Sequence, residues 1–391
     1  MSYMNFQCDI DLKENPLDLD MKEFFNVALR QNKKRRFLFV SKVLGKHISV
    51  DPKKCLELGE LLVKEYKRKT VKGTESPMVI GFAETATALG HSFFDNLKEA
   101  KYFMHTTREE IEDLRKLEFK EEHSHATEQI LYYDRPLDKY GDKIILVDDE
   151  ITTAKTCLNI IEKLNEVSKI KKYTIVSILN WIDEDREKEI NKRAKELGCS
   201  IDFVYLFRGK FNFKYNEEIL EDNIEELPEN YNNIEVNYID LYMDKYPLSS
   251  NYLKETGRFG LSRKEHEKLK KVIEELSNKL NINCVDGNIL ALGVEEFMYI
   301  PMLLSSRLKG NVYFQSITRS PIIPCKDYCI KSKYRFESLY NDNETYLYNL
   351  NIRQYEECYI FLEMCKCEDR LKNIIDILKK LNIPKINIVR C

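Results

Sequence analysis

The 391-residue chain carries almost no net charge, −3 with histidine neutral, and this balance speaks against a surface built for nucleic acid, which needs a basic excess. Its one basic cluster, Lys33 to Arg36, reads as a solvated loop. No apolar run approaches the roughly 20 residues of a membrane-spanning helix, so no membrane partner is expected. The polar opening MSYMNFQCDIDLKEN lacks the apolar region of a secretory signal, and a cytoplasmic location is the expectation. Eleven cysteines should then be mostly reduced. Cys325/Cys329 and Cys365/Cys367 are closely spaced pairs, but the four-cysteine spacing of a zinc ribbon is missing. What is present is 43% apolar residues, enough chain and enough hydrophobic surface for two domains with separate cores.

One stretch organises the rest: KIILVDDEITTAKTCL, residues 143 to 158. The run Ile144 to Val147 predicts a buried parallel strand, whose last residues reach the carboxyl edge of a sheet, where open α/β folds bind ligands. Asp148 and Asp149 end the strand. Thr152, Thr153, Ala154, Lys155 and Thr156 then lead into an apolar-periodic helix, and a helix N-terminus with neighbouring hydroxyls suits a phosphate. Two carboxylates cannot favour that phosphate, but they can accept hydrogen bonds from sugar hydroxyls or hold a hydrated Mg²⁺. A plain strand-to-helix turn with polar residues is the alternative reading. Phosphoribosyl diphosphate (PRPP) has the hydroxyls, the metal-bound diphosphate and the separate monophosphate that would use every part.

A second strand-to-loop unit precedes it. Met78 to Ile80 is a short β-type run, and Gly81, Phe82, Ala83, Glu84, Thr85 and Thr87 form a loop of small and hydroxyl residues whose exposed N–H groups can make an anion nest. ILVDDEITTAKT resembles the PRPP-binding signature of the type I phosphoribosyltransferases. That resemblance implies their α/β fold, a mostly parallel sheet flanked by helices, and assigns the Gly81 loop to pyrophosphate, Thr152 to Thr156 to the 5-phosphate, and Mg²⁺ to the diphosphate with Asp148 and Asp149 as candidate metal contacts. It also implies an N-terminal hood over the base, for which Ser41, Lys42, Lys46 and His47 are the candidates, a surface hairpin being the alternative. The charged segment from Arg108 matches the closing loop of orotate-type members, so Arg108, His123 and His125 are candidate catalytic residues beside Asp148 and Asp149. Ala154 departs from the glycine common in such loops.

The last third repeats the first. VIGFAE recurs as ILALGVEEFM, YFMHTTR as YFQSITR, and the signature unit as YIFLEMCKCEDRLKNIIDILKKL. Gly81 to Arg108 spans 27 positions (108 − 81) and Gly293 to Arg319 spans 26 (319 − 293). The second copy has Glu363 for Asp148 and a charged turn for the threonines, so it is read as a diverged phosphoribosyltransferase-like domain without a PRPP site. QSITRSPI extends the resemblance to two-domain phosphoribosyltransferases with a C-terminal TRSP domain, a kind found with tellurite-resistance-type biosynthetic operons. The expected boundaries are 20–213 for the transferase domain, 214–240 for a linker and 241–391 for the TRSP domain. An internal pseudo-dimer or a homodimer is implied, with Thr318, Arg319 and Ser320 able to serve the first domain's site. The expected reaction is Mg²⁺-dependent transfer of ribose 5-phosphate from PRPP to a nitrogenous base, or its reversal on a nucleotide. A PRPP-binding regulator and an assembly scaffold are the alternatives.

Overall fold

The computed structural model describes residues 6–30, 32, 35–70, 75–120, 129–215, 222–228, 234–282 and 286–391. In the first half of the chain β1 (Phe6–Glu14) is followed by a single helical turn, α1 (Met21–Phe24), and a hairpin, β2 (Phe25–Leu29) and β3 (Phe37–Ser41). Then come α2 (Pro52–Lys69), β4 (Pro77–Gly81), α3 (Ala86–Asn96), β5 (Tyr102–His105), a hairpin of β6 (Lys116–Phe119) and β7 (Gln129–Tyr132), β8 (Lys143–Ile151), α4 (Lys155–Val167), β9 (Lys172–Asn180), α5 (Glu184–Glu196) and β10 (Ser200–Tyr215). The sheet order is β1-β10-β9-β8-β4-β5-β14, where β14 (Leu261–Ser262) comes from the second half. Strands β10, β9, β8, β4 and β5 are mutually parallel, and β1 closes one edge antiparallel to β10. Ile144 to Val147 are fully buried, as a strand covered by helices on both faces requires. The sheet thus recruits β1, upstream of the expected boundary at residue 20.

The second half contains β11 (Glu235–Asp240), a hairpin of β12 (Lys245–Tyr246) and β13 (Ser249–Leu253), β14, α6 (Arg263–Leu280), β15 (Asn288–Val294), α7 (Tyr299–Ser305), β16 (Asn311–Ile317), a hairpin of β17 (Lys333–Glu337) and β18 (Glu344–Tyr348), β19 (Glu357–Leu362), α8 (Glu368–Lys380) and β20 (Lys385–Arg390). Its parallel sheet has the order β11-β20-β19-β15-β16. Set against β9-β8-β4-β5, strands β20-β19-β15-β16 follow the same chain path: strand, helix, edge strand, hairpin, central strand, helix, strand; the outer strand differs, β10 following β9 in the chain and β11 preceding β15. The two halves of the chain thus share the connectivity of these four strands. Glu235–Asp240, placed in the linker by composition, is a strand paired with β20. It has the exposed face of an edge strand, which hides its membership from a hydrophobicity argument.

The two copies exchange edge segments. Leu261 pairs with Phe103 on β5, while Val50 bridges to Phe314 on β16. His105 N–H donates to Gly257 O at 3.2 Å, and Ser316 N–H donates to Gly45 O at 2.7 Å. Gly45 and Gly257, 212 positions apart (257 − 45), both adopt positive φ. A Cβ on Gly45 would lie 2.7 Å from the Phe314 ring, and one on Gly257 2.5 Å from the Phe103 ring. Each glycine lets its turn press against the other copy's edge strand, so two separate steric demands select the same residue. The exchange covers one open edge of each parallel sheet, which would otherwise present unpaired N–H and C=O groups.

Candidate active site

Strand β8 carries Asp148 and Asp149 to the carboxyl edge of the first sheet, beside the end of β4. The side chain of Asp148 turns back to accept from Asp149 N–H at 2.9 Å. Ala154 stands at the N-cap of α4 with φ 56° and ψ 16°, the left-handed conformation that glycine adopts freely and that costs another residue about 1 kcal/mol or more. The loop is thus bent as a phosphate cradle would be, with the strain accepted in place of a glycine. Helix α4 is held from the other side by Cys157, Leu158, Ile160, Ile161 and Leu164, its buried stripe, and Arg186 Nε donates to Thr153 O at 2.9 Å.

The Gly81 loop faces this unit across a cleft of about 570 Å³. Phe82 N–H donates to Val147 O at 3.0 Å, Ala83 N–H to Thr106 Oγ1 at 2.8 Å, and Gln129 Nε2 to Ala83 O at 2.8 Å. Neighbouring strands therefore fix the loop backbone. Phe82 to Thr85 line the cleft, as do Asp148, Asp149 and Thr152 to Thr156. Gly81 and Thr87 lie behind the wall: a Cβ on Gly81 would meet Ala86 O at 2.4 Å, and Thr87 Oγ1 donates to Glu84 O at 3.0 Å. Glu84 is buried, and its Oε1 has no hydrogen-bond partner.

The hood candidates separate. Lys46 reaches the cleft and donates to Thr85 Oγ1 at 2.6 Å. Lys42 instead donates to Lys22 O at 2.8 Å on the exposed surface, Ser41 accepts from Val43 N–H at 3.2 Å, and His47 is buried against Tyr348 of the second domain. The hairpin β2–β3 does overhang the cleft, but through Arg30, Asn32, Arg35 and Leu38. Arg35 donates to Glu150 at 2.5 Å, and Glu150, desolvated on strand β8, has its pKa raised. Neither residue was singled out in the sequence: Arg35 sat in a basic run that looked like solvated loop, and Glu150 lay just past the expected end of the strand, which runs on to Ile151. Trp181 packs in the core, stacked on Phe39 with centroids 4.9 Å apart.

The closing-loop candidates divide as well. Arg108 lines the cleft, and its backbone N–H donates to Glu296 of the second domain at 2.8 Å. His123 and His125 lie outside the described residues. Of the described residues after Arg108, Ile111 and Leu114 pack with Tyr132, Tyr252 and Phe259. The second domain contributes Arg319, Ser320, Pro321, Asn343 and Glu344 to the cleft wall, while Thr318 is fully buried. Arg319 Nη2 donates to Glu109 at 2.6 Å, and its Nε donates to Glu295. Burial raises the pKa of Glu295 to about 7 in spite of Arg319.

The corresponding place in the second copy is closed. Glu363 follows β19 as Asp148 lies near the end of β8. Its carboxylate accepts from Arg258 Nη1 at 2.8 Å, Arg258 Nη2 at 3.1 Å and Leu253 N–H at 2.9 Å. Arg258 corresponds to Lys46 at the same 212-residue offset (258 − 46), and it is fully buried. The Arg258 guanidinium lies over the Tyr252 ring, 4.4 Å from its centroid, and Tyr252 clusters with Tyr132 and Phe259, with Met364 packed against them. One cleft is open with polar walls; its twin is occupied by the protein's own side chains.

A parallel sheet that ends in paired carboxylates and a threonine cradle, opposite a fixed small-residue loop, defines an enzyme of the pentosyltransferase class. Residues 24–210 match the family model described as phosphoribosyl transferase. Residues 255–378 match the one described as the TRSP domain C-terminal to it. The chain belongs to this two-domain family. Among solved structures it is similar to adenine phosphoribosyltransferase from Rhodothermus marinus, at 13% identity over 48% of this chain and 96% of that one, with a TM-score of 0.33. It is similar also to the Giardia lamblia enzyme complexed with 9-deazaadenine, at 16% identity over 47% and 93%, TM-score 0.34. The Trypanosoma brucei enzyme in complex with AMP, pyrophosphate and ribose-5-phosphate matches at 10% identity over 47% and 76%, TM-score 0.34. No curated protein matches the chain. Among the described residues no helix is long and apolar enough to cross a membrane.

Proposed function

We propose that the chain transfers the ribose 5-phosphate unit of PRPP to a nitrogenous base, or runs the reverse pyrophosphorolysis, in the cleft of its first domain. The observation that carries this reading is the contrast between the copies: the cleft is open only where Asp148, Asp149 and Thr152 to Thr156 are present. The 5-phosphate sits at Thr152 to Thr156 and the α4 N-terminus, where N–H groups and the helix dipole favour an anion. Asp148 and Asp149 accept from the ribose hydroxyls. The diphosphate lies along Phe82 to Thr85, with Lys46, Arg108 and Arg319 supplying positive charge from three directions.

The C1–O bond to the diphosphate breaks, a C1–N bond to the base forms, and pyrophosphate departs while the base loses its N–H proton. Charge builds on the leaving group, so preorganised cations are the chief means of lowering the barrier. Asp148, Asp149 and the buried Oε1 of Glu84, which has no hydrogen-bond partner, would hold a hydrated Mg²⁺, which would neutralise diphosphate charge when bound. Arg319 is contributed by the second domain, which thereby stands where a partner subunit would. The base lies beneath the β2–β3 hairpin, between Leu38 and the Arg35–Glu150 pair.

Incubation with Mg²⁺, PRPP and a panel of bases, following pyrophosphate release, tests the reading. Turnover with at least one base is expected, and Asp148→Asn/Asp149→Asn should reduce it by a factor of 100 or more. Equal turnover in the double variant would sink the assignment.

A further inference from the structure

Glu296 stands just beyond strand β15, where the two domains meet, and it is buried. Both hydrogen bonds of its carboxylate cross to the first domain: Oε1 accepts from Arg108 N–H at 2.8 Å and Oε2 from the Thr107 hydroxyl at 2.6 Å. Its backbone carbonyl accepts from Thr87 Oγ1 at 3.1 Å. Arg258 lies 3.5 Å away, with its terminal nitrogens bonded to Glu363. Burial opposes ionisation of Glu296, but Arg258, His105 and Arg319 hold its pKa below the ordinary value. Hydrogen bonds to an ionised carboxylate are the stronger kind.

These bonds run on to two arginines of the transfer cleft. Arg108 is reached directly, through its backbone. Thr107 Oγ1, which donates to Glu296, also accepts from Glu109 N–H at 3.1 Å. Glu109 Oε1 in turn accepts from Arg319 Nη2 at 2.6 Å and from Asn341 Nδ2 at 2.8 Å. One carboxylate of the second domain therefore fixes the backbone that carries Arg108 and, through Thr107, the residue that holds the Arg319 side chain. The contact is reciprocal. Glu84 lies 212 positions before Glu296 (296 − 84), the offset of Gly45 from Gly257, and its Oε2 accepts from Arg319 N–H at 3.4 Å. Thr318 Oγ1 accepts from Ser320 N–H at 3.1 Å, as Thr107 accepts from Glu109. Each half thus holds the backbone of the other half's arginine with a loop carboxylate.

We infer that Glu296 is a positioning residue for phosphoribosyl transfer, registering Arg108 and Arg319 from opposite domains on one diphosphate without touching it. The role rests on the proposed binding of PRPP in the first domain's cleft. Cations stabilise a leaving group best when fixed in advance, and a displacement of about 1 Å can cost about 100-fold in rate. A Glu296 that served only to hold the domains together would leave every folded molecule equally active.

Steady-state kinetics of pyrophosphate release from PRPP and hydrogen–deuterium exchange with peptide mapping, both on the full chain, test this. Glu296→Ala should lower kcat/KM for PRPP at least tenfold per folded molecule and speed exchange in peptides covering 106–111. Glu296→Gln keeps a carbonyl acceptor for Arg108 N–H and should recover most of the loss. Thr107→Val keeps the volume, removes the hydroxyl link to Glu109, and should lower kcat/KM at least threefold. Glu363 makes none of these bonds, so Glu363→Ala controls for lost stability and should keep wild-type kcat/KM per folded molecule. The inference is overturned by wild-type kinetics in Glu296→Ala or Thr107→Val, by Glu296→Gln as slow as Glu296→Ala, or by an equal loss in Glu363→Ala. A wild type that releases no pyrophosphate overturns the transfer reading and the kinetic role together, whereas unchanged exchange at 106–111 in Glu296→Ala overturns the positioning alone.

Discussion

Replacing Glu363 by alanine should destabilise the protein severely without touching the open cleft. The Glu363 carboxylate is completely buried, and it holds both terminal nitrogens of an equally buried Arg258 as well as the Leu253 amide. Removing one partner of such a pair strands a desolvated charge, which costs about 3 to 5 kcal/mol, and orphaning the Leu253 N–H adds about 1 kcal/mol. Glu296 lies 3.5 Å from Arg258 and recovers part of the loss, so a net of about 3 to 4 kcal/mol is expected. That is a large share of a typical stability of about 5 to 15 kcal/mol. The double variant Arg258→Met/Glu363→Leu removes both charges and keeps the volume, and should come within about 1 to 2 kcal/mol of wild type. Urea unfolding of the wild type, Glu363→Ala and the double variant gives the three free energies. Pyrophosphate release per folded molecule should be the same in all three, since the second copy's site takes no part in transfer. A cost below about 1 kcal/mol for Glu363→Ala, or a double variant no more stable than the single, would refute the view that this pair closes the second site in place of a ligand.

Acidification should also destabilise the fold. His47, His91 and His105 are buried, and burial lowers the pKa of each, that of His105 to about 4. In the unfolded chain each titrates near 6.5. The unfolded state therefore gains protons that the folded state refuses as pH falls from about 6.5, His105 costing about 2 kcal/mol by pH 5 and His47 and His91 acting in the same direction. Glu295, raised to about 7 by burial, works in the opposite sense over the same range but is outnumbered. Thermal midpoints should thus be lower at pH 5 than at pH 7, and a higher midpoint at pH 5 would contradict the assignment. Ala154→Gly should raise stability slightly or leave it unchanged, because relief of the left-handed strain offsets the added entropy of the unfolded chain, each about 1 kcal/mol. A loss of 2 kcal/mol or more in urea unfolding would show that the turn is not strained. Arg319→Lys keeps the charge but cannot bridge Glu295 and Glu109 as the guanidinium does. Steady-state kinetics should show kcat/KM for PRPP reduced by about 10- to 100-fold with little change in midpoint, and unchanged kinetics would remove Arg319 from the proposed machinery.

The sequence alone determined the parts whose signal is local. Residues 144 to 147 had to be a covered parallel strand, and Asp148, Asp149 and the threonine run had to stand at its carboxyl end, because apolar continuity and strand polarity are properties of neighbouring residues. The duplication was legible for the same reason, since each copy repeats short strands at nearly equal spacing. Only the tertiary structure decided which residues share a cleft. Arg35 and Glu150 are 115 positions apart and are neutralised by each other, so neither looked special. Lys42 and His47 flank Lys46, yet the positive-φ turn at Gly45 sends only Lys46 to the cleft. The Arg258–Glu363 pair that fills the second copy's site and the exchange of edge strands depend on how two similar sheets pack. That packing is set by contacts between residues some 200 positions apart, for which a single sequence holds no local pattern.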